Sequence, residues 1–214
     1  MTLTPIKTPL VAKKMFPNYV WDIPSVNSKT IYLSFDDGPT KEITNWTLKT
    51  LKEFNAKATF FCIGNNIKNN PEIFQDIINN GHSVGNHTYN HIKGWKTSKK
   101  DYLKNISDTN DIINTITSNK TKLFRPPYGQ ICPKQGKKLI ELGYKIIMWD
   151  VLSFDWDASV SKETCFQNVI SNTTNSSIVV FHDSIKASKN MQYALPKVLH
   201  HFSQLGYTFS AIGN

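Results

Sequence analysis

Seven short runs rich in β-branched and aromatic residues, at 31–35, 57–63, 81–86, 121–125, 144–151, 177–182 and 206–210, alternate with helix-like stretches at 40–54, 71–80, 98–117, 133–142, 162–173 and 190–205. A chain that alternates strand and helix in this way builds a parallel sheet with right-handed crossovers, covered by its own helices. The punctuation agrees, since Pro39 and Pro71 open the stretches that follow them and Gly143 and Gly206 close the ones before. With 214 residues, 39% of them hydrophobic, the chain can bury one full core, and no repeat or Pro/Gly/Ser-rich linker divides it.

Open parallel sheets and barrels place their sites at the carboxyl ends of strands, and five runs here end in polar clusters. Ser34-Phe35-Asp36-Asp37-Gly38-Pro39 closes the first; about fifty residues later Asn86-His87-Thr88-Tyr89-Asn90-His91 follows the third. Leu123-Phe124-Arg125-Pro126-Pro127-Tyr128 ends in a stiff double proline, which forces the chain out of the sheet at Arg125. Met148-Trp149-Asp150 leads on to Asp155-Trp156, and Ile178-Val179-Val180-Phe181 ends in His182. Each cluster alone has a bland reading: a turn, a salt bridge, a satisfied core histidine. Their shared position at strand ends argues for one site. His87 and His91, four residues apart, can face the same way from one helical turn, Asp37 can complete a three-ligand metal site, and Asp36 is left to take a proton.

These clusters, in this order, resemble the five motif regions of the polysaccharide deacetylase family, carbohydrate esterase family four, over about Ile31 to Ser210. The resemblance implies a distorted, incomplete (β/α)7 barrel with 31–214 as the catalytic domain; residues 1–30, whose prolines at 5, 9 and 17 rule against one long helix, are expected to be an N-terminal strap, with a short membrane-interface segment the alternative. It implies Asp36 as general base, Asp37, His87 and His91 as metal ligands, Arg125 as partner of the base and the Tyr128 backbone N–H as an oxyanion donor. Asp155 is similar to the acid that orients the catalytic histidine, Trp156 to a wall of the acetyl pocket, and His182 to the general acid. Two positions depart from the family pattern: Leu152 stands where an acid is common, and Val180 where leucine is usual, a smaller side chain in the acetyl-methyl pocket.

The chemistry expected of such a set is amide hydrolysis. One divalent metal ion, zinc by default with cobalt, nickel or manganese also suited to imidazole and carboxylate ligands, polarises the carbonyl and acidifies water. Asp36 takes the proton and His182, kept charged by an acid, returns one to the leaving nitrogen. The expected substrate is an acetylated amino-sugar polymer or oligomer containing N-acetylglucosamine, of chitooligosaccharide or peptidoglycan type. Alternatives are a deacylase or deformylase of a lipid-linked sugar, an O-acetyl esterase on acetylxylan, and a carbohydrate-binding protein without catalysis.

The formal net charge of +9 is spread over helices without interleaved stacking aromatics, which argues against nucleic acid as a partner. Solvated lysine faces, or weak attraction to a membrane surface or anionic cell-wall polymer, account for it better, and no stable protein partner is implied. Residues 1–22 hold no apolar run long enough for a signal peptide or membrane span, so a cytoplasmic location is the default expectation. His82 is expected to be structural, and His200 and His201, late in a surface helix, to be solvated or to complement its dipole; Cys62, Cys132 and Cys165 lack any metal or disulfide spacing.

Overall fold

The computed structural model describes residues 4–24, 29–117 and 121–213. Among the described residues eight parallel strands form the sheet: β1 Thr30–Asp36, β2 Ala58–Cys62, β3 Ser83–Asn86, β4 Leu123–Phe124, β5 Lys145–Ile146, β6 Val151–Leu152, β7 Ile178–His182 and β8 Thr208–Phe209. Their order is β5-β4-β3-β2-β1-β7-β6, with β8 beside the first residues of β1. The helices are α1 Leu10–Met15, α2 Lys41–Glu53, α3 Gly64–Asn69, α4 Pro71–Asn79, α5 Lys99–Ile116, α6 Pro133–Glu141, α7 Lys162–Ile170 and α8 Ser188–Gln204. This is the distorted, incomplete barrel expected. Of the helices, α1 and α3 have no counterpart in the sequence reading, since six residues are too few to show a helical period.

Side-chain alternation divides the sheet into two faces. Leu33 and Phe35 of β1 point outward, where Phe35 stacks on Phe60 and Phe181 beneath Met191, Leu195 and Val198 of α8. Ser34 and Asp36 point into the barrel, and their register partners on β7, Val180 and His182, point with them. The interior is apolar at its floor, around Phe61, Leu123, Ile147 and Ile178, and polar at the carboxyl rim.

The run at 144–151, expected as one strand, is two. β5 pairs with β4 and β6 with β7, and the chain between them leaves the sheet. The cause lies inside the barrel, where the Arg125 guanidinium draws in the carbonyls of Ile147 (3.2 Å) and Met148 (2.8 Å). The N-terminal segment fills the resulting gap. Val20 donates to Ile146 O (2.8 Å) and accepts from Met148 N–H (2.7 Å), while Ile6 accepts from Leu152 N–H (2.8 Å). Asp150 anchors it further, accepting from Lys13 (2.7 Å), Lys7 (3.1 Å) and Ser177 (2.5 Å). Burial opposes the Asp150 charge, but these donors outweigh it and hold the carboxyl below its ordinary range. Among the described residues no helix is long and apolar enough to cross a membrane.

Candidate metal and acid–base site

Asp36 is the last residue of β1 and Asp37 the first of the turn that follows. Asp37 has φ 82°, a left-handed conformation that costs a residue with a side chain about 1 kcal/mol or more, so its neighbours must hold it there. Asn66 of α3 donates to its carbonyl (2.7 Å), and Asp183 accepts from the next N–H, that of Gly38 (3.0 Å), and from Thr44 (2.5 Å). The Asp183 N–H donates to Asp36 O (3.1 Å). A Cβ at Gly38 would lie 2.0 Å from the Asp183 carboxylate, so only glycine lets the two approach. Asp183 is fully buried, and burial, reinforced by Asp37, pushes its pKa up to about 7.

His87 and His91 converge, but not from a helical turn. Both lie in the irregular loop after β3, where Thr88 (φ 63°) and His91 (φ 53°) are left-handed. Asparagine side chains replace the helix ladder, one of them, Asn86, buried. Asn86 accepts from Thr88 N–H (2.8 Å) while bonding Ile106 O and Asn110, and Asn105 of α5 accepts from Tyr89 N–H (2.7 Å) and Asn90 N–H (3.1 Å). His87 Nδ1 lies 2.8 Å from Arg125 O, an acceptor, so Nδ1 carries the proton and Nε2 offers a lone pair. Burial depresses the His87 pKa, and burial together with His87 brings His91 down to about 4, so both rings are neutral near pH 7.

Asp37, His87 and His91 each offer one donor atom, all within 4.8 Å of one another. Asp37 Oδ1 is 3.2 Å from His91 Nε2 and 3.8 Å from His87 Nε2, and it is buried without a hydrogen-bond donor. Three lone-pair donors around one point, with a carboxylate oxygen that no proton satisfies, fit a divalent cation.

Two ionised pairs flank this set. Arg125, fully buried with its guanidinium 4.1 Å above Phe61, donates to Asp36 (2.7 Å) and Ser34 (2.8 Å). Burial would raise the Asp36 pKa, but Arg125, His87 and His182 outweigh it and hold the carboxyl below its ordinary range. His182 Nδ1 lies 2.8 Å from Asp155 Oδ1, and Asp155 Oδ2 accepts the His182 N–H (2.7 Å). Burial disfavours the imidazolium, yet Asp155, with Asp37 and Asp36 beyond it, raises the His182 pKa to about 9.

The remaining predicted residues line the rim. Trp156 packs edge-on against His182 (4.7 Å between rings) and stacks on Phe154 (4.9 Å). Tyr128 (φ 59°) sits in a one-turn 3₁₀ helix, Pro127–Gly129, with its hydroxyl 3.1 Å from His91 Nδ1. Val180 is buried one pleat below His182, beside Leu152 on β6, so the two departures from the family pattern form one apolar cross-strand pair. All ten predicted residues therefore meet in one mouth of the barrel. Sequence reasoning assigned no role to Ser34, Asn86, Asn105 or Asp183, which hold the others in place; Ser34, Asn86 and Asp183 carried a signal, lying in or beside the strand-end clusters, and Asn105 did not.

The barrel rim thus defines a hydrolase-type centre, a three-donor set able to hold a metal ion between an ionised carboxylate and a protonated histidine. The comparisons specify the family. A polysaccharide deacetylase profile matches residues 24–147, and the chain belongs to that family. It is 32% identical over 207 residues to a peptidoglycan-N-acetylglucosamine deacetylase of Bacillus cereus, covering 95% of this chain and 96% of that one. A second Bacillus cereus deacetylase of the same name is 39% identical over 158 residues, 74% of this chain, which spans 57% of that relative's length. The crystal structure of the Bc1960 peptidoglycan N-acetylglucosamine deacetylase superposes with TM-score 0.88 at 33% identity, covering 96% of this chain and 95% of that one. Peptidoglycan deacetylase PdaC from Bacillus subtilis superposes with TM-score 0.79 at 32% identity, over 87% and 89%.

Proposed function

We propose that the chain removes N-acetyl groups from N-acetylglucosamine-containing polysaccharide, with peptidoglycan the foremost substrate. The observation that carries this reading is the opposed protonation of two groups across one donor set: Asp36 held ionised by Arg125, and His182 held charged up to about pH 9 by Asp155. Asp37, His87 and His91 would hold one divalent ion, zinc foremost, and such an ion supplies Lewis-acid polarisation of the acetamide carbonyl and a lowered water pKa.

Asp36 accepts the proton as water adds to the carbonyl carbon, and Arg125 keeps it ionised and aimed. The Tyr128 backbone N–H donates to the carbonyl oxygen as charge grows on it, a contribution worth about 3 kcal/mol for one such donor in other enzymes. As the carbon–nitrogen bond breaks, the electron pair leaves with nitrogen, and His182 Nε2 gives that nitrogen its proton. The products are acetate and a free amine. Trp156 and Val180 wall the acetyl methyl. A wall polymer as substrate would put the work of this enzyme at the cell envelope instead of the cytoplasm.

The test is amine release from peptidoglycan and from an N-acetylglucosamine oligomer by protein reconstituted with zinc. Release that chelator abolishes and zinc restores is the expected result. Release no faster than from chelated protein on either substrate would overturn the reading.

A further inference from the structure

Resting on that reading, we infer that Lys93 and Lys96 form a cationic lip beside the metal site that takes a carboxylate carried by the sugar next to the one being deacetylated. The segment 93–100 carries four lysines, at 93, 96, 99 and 100, and no acid. All four are exposed and none has an acidic partner among the described residues. The first acid after them, Asp101, is engaged with the Ser98 cap of α5, accepting from its hydroxyl at 2.7 Å.

The position of Lys93 makes the start of this run part of the mouth. Lys93 Nζ lies 4.8 Å from the centroid of the Tyr128 ring, the Tyr128 hydroxyl is 3.1 Å from His91 Nδ1, and His91 Nε2 is 3.2 Å from Asp37. One aromatic ring therefore separates the ammonium from the donor set. A cation over an exposed ring gains about 0.5–1 kcal/mol, enough to keep a flexible lysine near the mouth before substrate arrives. The backbone is fixed as well: Gly94 N–H donates to Gln130 O (3.2 Å), and Gln135 of α6 donates to Gly94 O (2.9 Å) and Thr97 O (3.0 Å). Trp95, two-thirds exposed and tethered through its indole N–H to Ile131 O (3.2 Å), offers an apolar face for a sugar ring between the two lysines.

A neutral glycan gains from unpaired ammonium groups at the lip only hydrogen bonds to its hydroxyls, which have no opposite charge to strengthen them. A glycan whose neighbouring sugar bears a carboxylate, directly or on a short peptide, gains charge-assisted bonds that position the acetamide. The inference thus selects an acidic amino-sugar polymer over a neutral one at this site.

The experiment measures kcat/KM of the zinc-loaded enzyme on a peptidoglycan tetrasaccharide with free carboxylates and on the same fragment fully amidated. The wild type should prefer the free carboxylates about tenfold at low salt, and the preference should shrink toward unity at high salt. In the double variant Lys93→Gln, Lys96→Gln the preference should be near unity at every salt concentration, and Lys93→Arg, Lys96→Arg should restore it. Equal turnover of both fragments by the wild type, or a preference the glutamine variant retains, overturns the lip and leaves the deacetylase reading intact. Amine release from neither fragment overturns both.

Discussion

Arg125→Met removes the cation that the acid–base arrangement rests on while keeping most of the stem that packs on Phe61. In the native chain the guanidinium makes four hydrogen bonds, to Asp36, Ser34, Ile147 O and Met148 O, and is wholly buried. Asp36 is 4% exposed, so the variant strands a carboxylate out of water. Breaking a buried pair from one side costs about 3–5 kcal/mol, against a total stability of roughly 5–15 kcal/mol for a domain. The pH dependence separates this cause from simple loss of packing. With Arg125 present, Asp36 is held below its ordinary pKa, so its contribution is full above the unfolded carboxylate range, near pH 4, and is lost only as pH falls through the folded value. Without Arg125, burial is opposed only by the two histidines, the Asp36 pKa rises, and the carboxyl takes up a proton on mild acidification.

Urea denaturation should therefore show the variant's deficit largest at pH 7 and shrinking toward pH 4. In parallel, the acid limb of kcat/KM should move to higher pH, because the base must be ionised. A deficit under about 1 kcal/mol at pH 7, well below the range for a broken buried pair, would refute the reasoning. So would a deficit that does not change with pH, or an acid limb that stays where it is in the native enzyme.

Three further outcomes are expected. Asp36→Asn should retain bound zinc while turnover falls at least a hundredfold, on the order expected for a lost general base; Asp37→Ala should lose zinc to a competing chelator; the two checks are metal analysis and initial rates on the same preparations. Asp155→Asn should move the alkaline limb of kcat/KM to lower pH, because burial then acts on His182 against weaker opposition; a limb left where it is in the native enzyme would refute it. His82 accepts the Ala58 N–H at its Nδ1 (3.2 Å), and burial, aided by Lys57, lowers its pKa to about 4. Its folded pKa lies below the unfolded value near 6.5, so stability should be full above that pH and decline by up to about 3 kcal/mol as pH falls to 4. His82→Asn should flatten this part of the urea-denaturation profile.

The alternation of strands and helices was legible because it depends on period and punctuation, which local sequence carries. The site residues were legible because polar groups ending apolar strands are rare enough to stand out. The division of 144–151 was hidden, since what turns Ile147 and Met148 away from the sheet is a guanidinium some twenty residues earlier in the chain. The part played by Asp150 was hidden for a similar reason: its partners Lys7 and Lys13 lie more than 130 residues before it. The helical reading of His87 and His91 failed on a local ambiguity. Four-residue spacing suits a helical turn, but Asn86 and Asn105 offer the backbone competing bonds, and the chain takes those.

The same competition shapes the whole rim. Among the described residues seven other than glycine have positive φ, and five of them, Asp37, Thr88, His91, Tyr128 and Phe154, lie in the loops that carry the donor set and its flanking groups. Each costs on the order of 1 kcal/mol, so the rim is strained and must be held by the rest of the fold. The holders can be named: Asp183 and Asn66 for the Asp37 turn, Asn86 and Asn105 for the histidine loop, and Ser153 Oγ, accepting from Asp155 N–H at 3.2 Å, for the turn that carries Phe154. Glycine at these five positions would relieve the strain but surrender the side chains that form the mouth. The strain is thus the consequence of placing functional side chains at chain reversals. That explains why buried polar residues with no chemistry of their own surround the site: without them the loops would relax, and three lone pairs would no longer meet at one point.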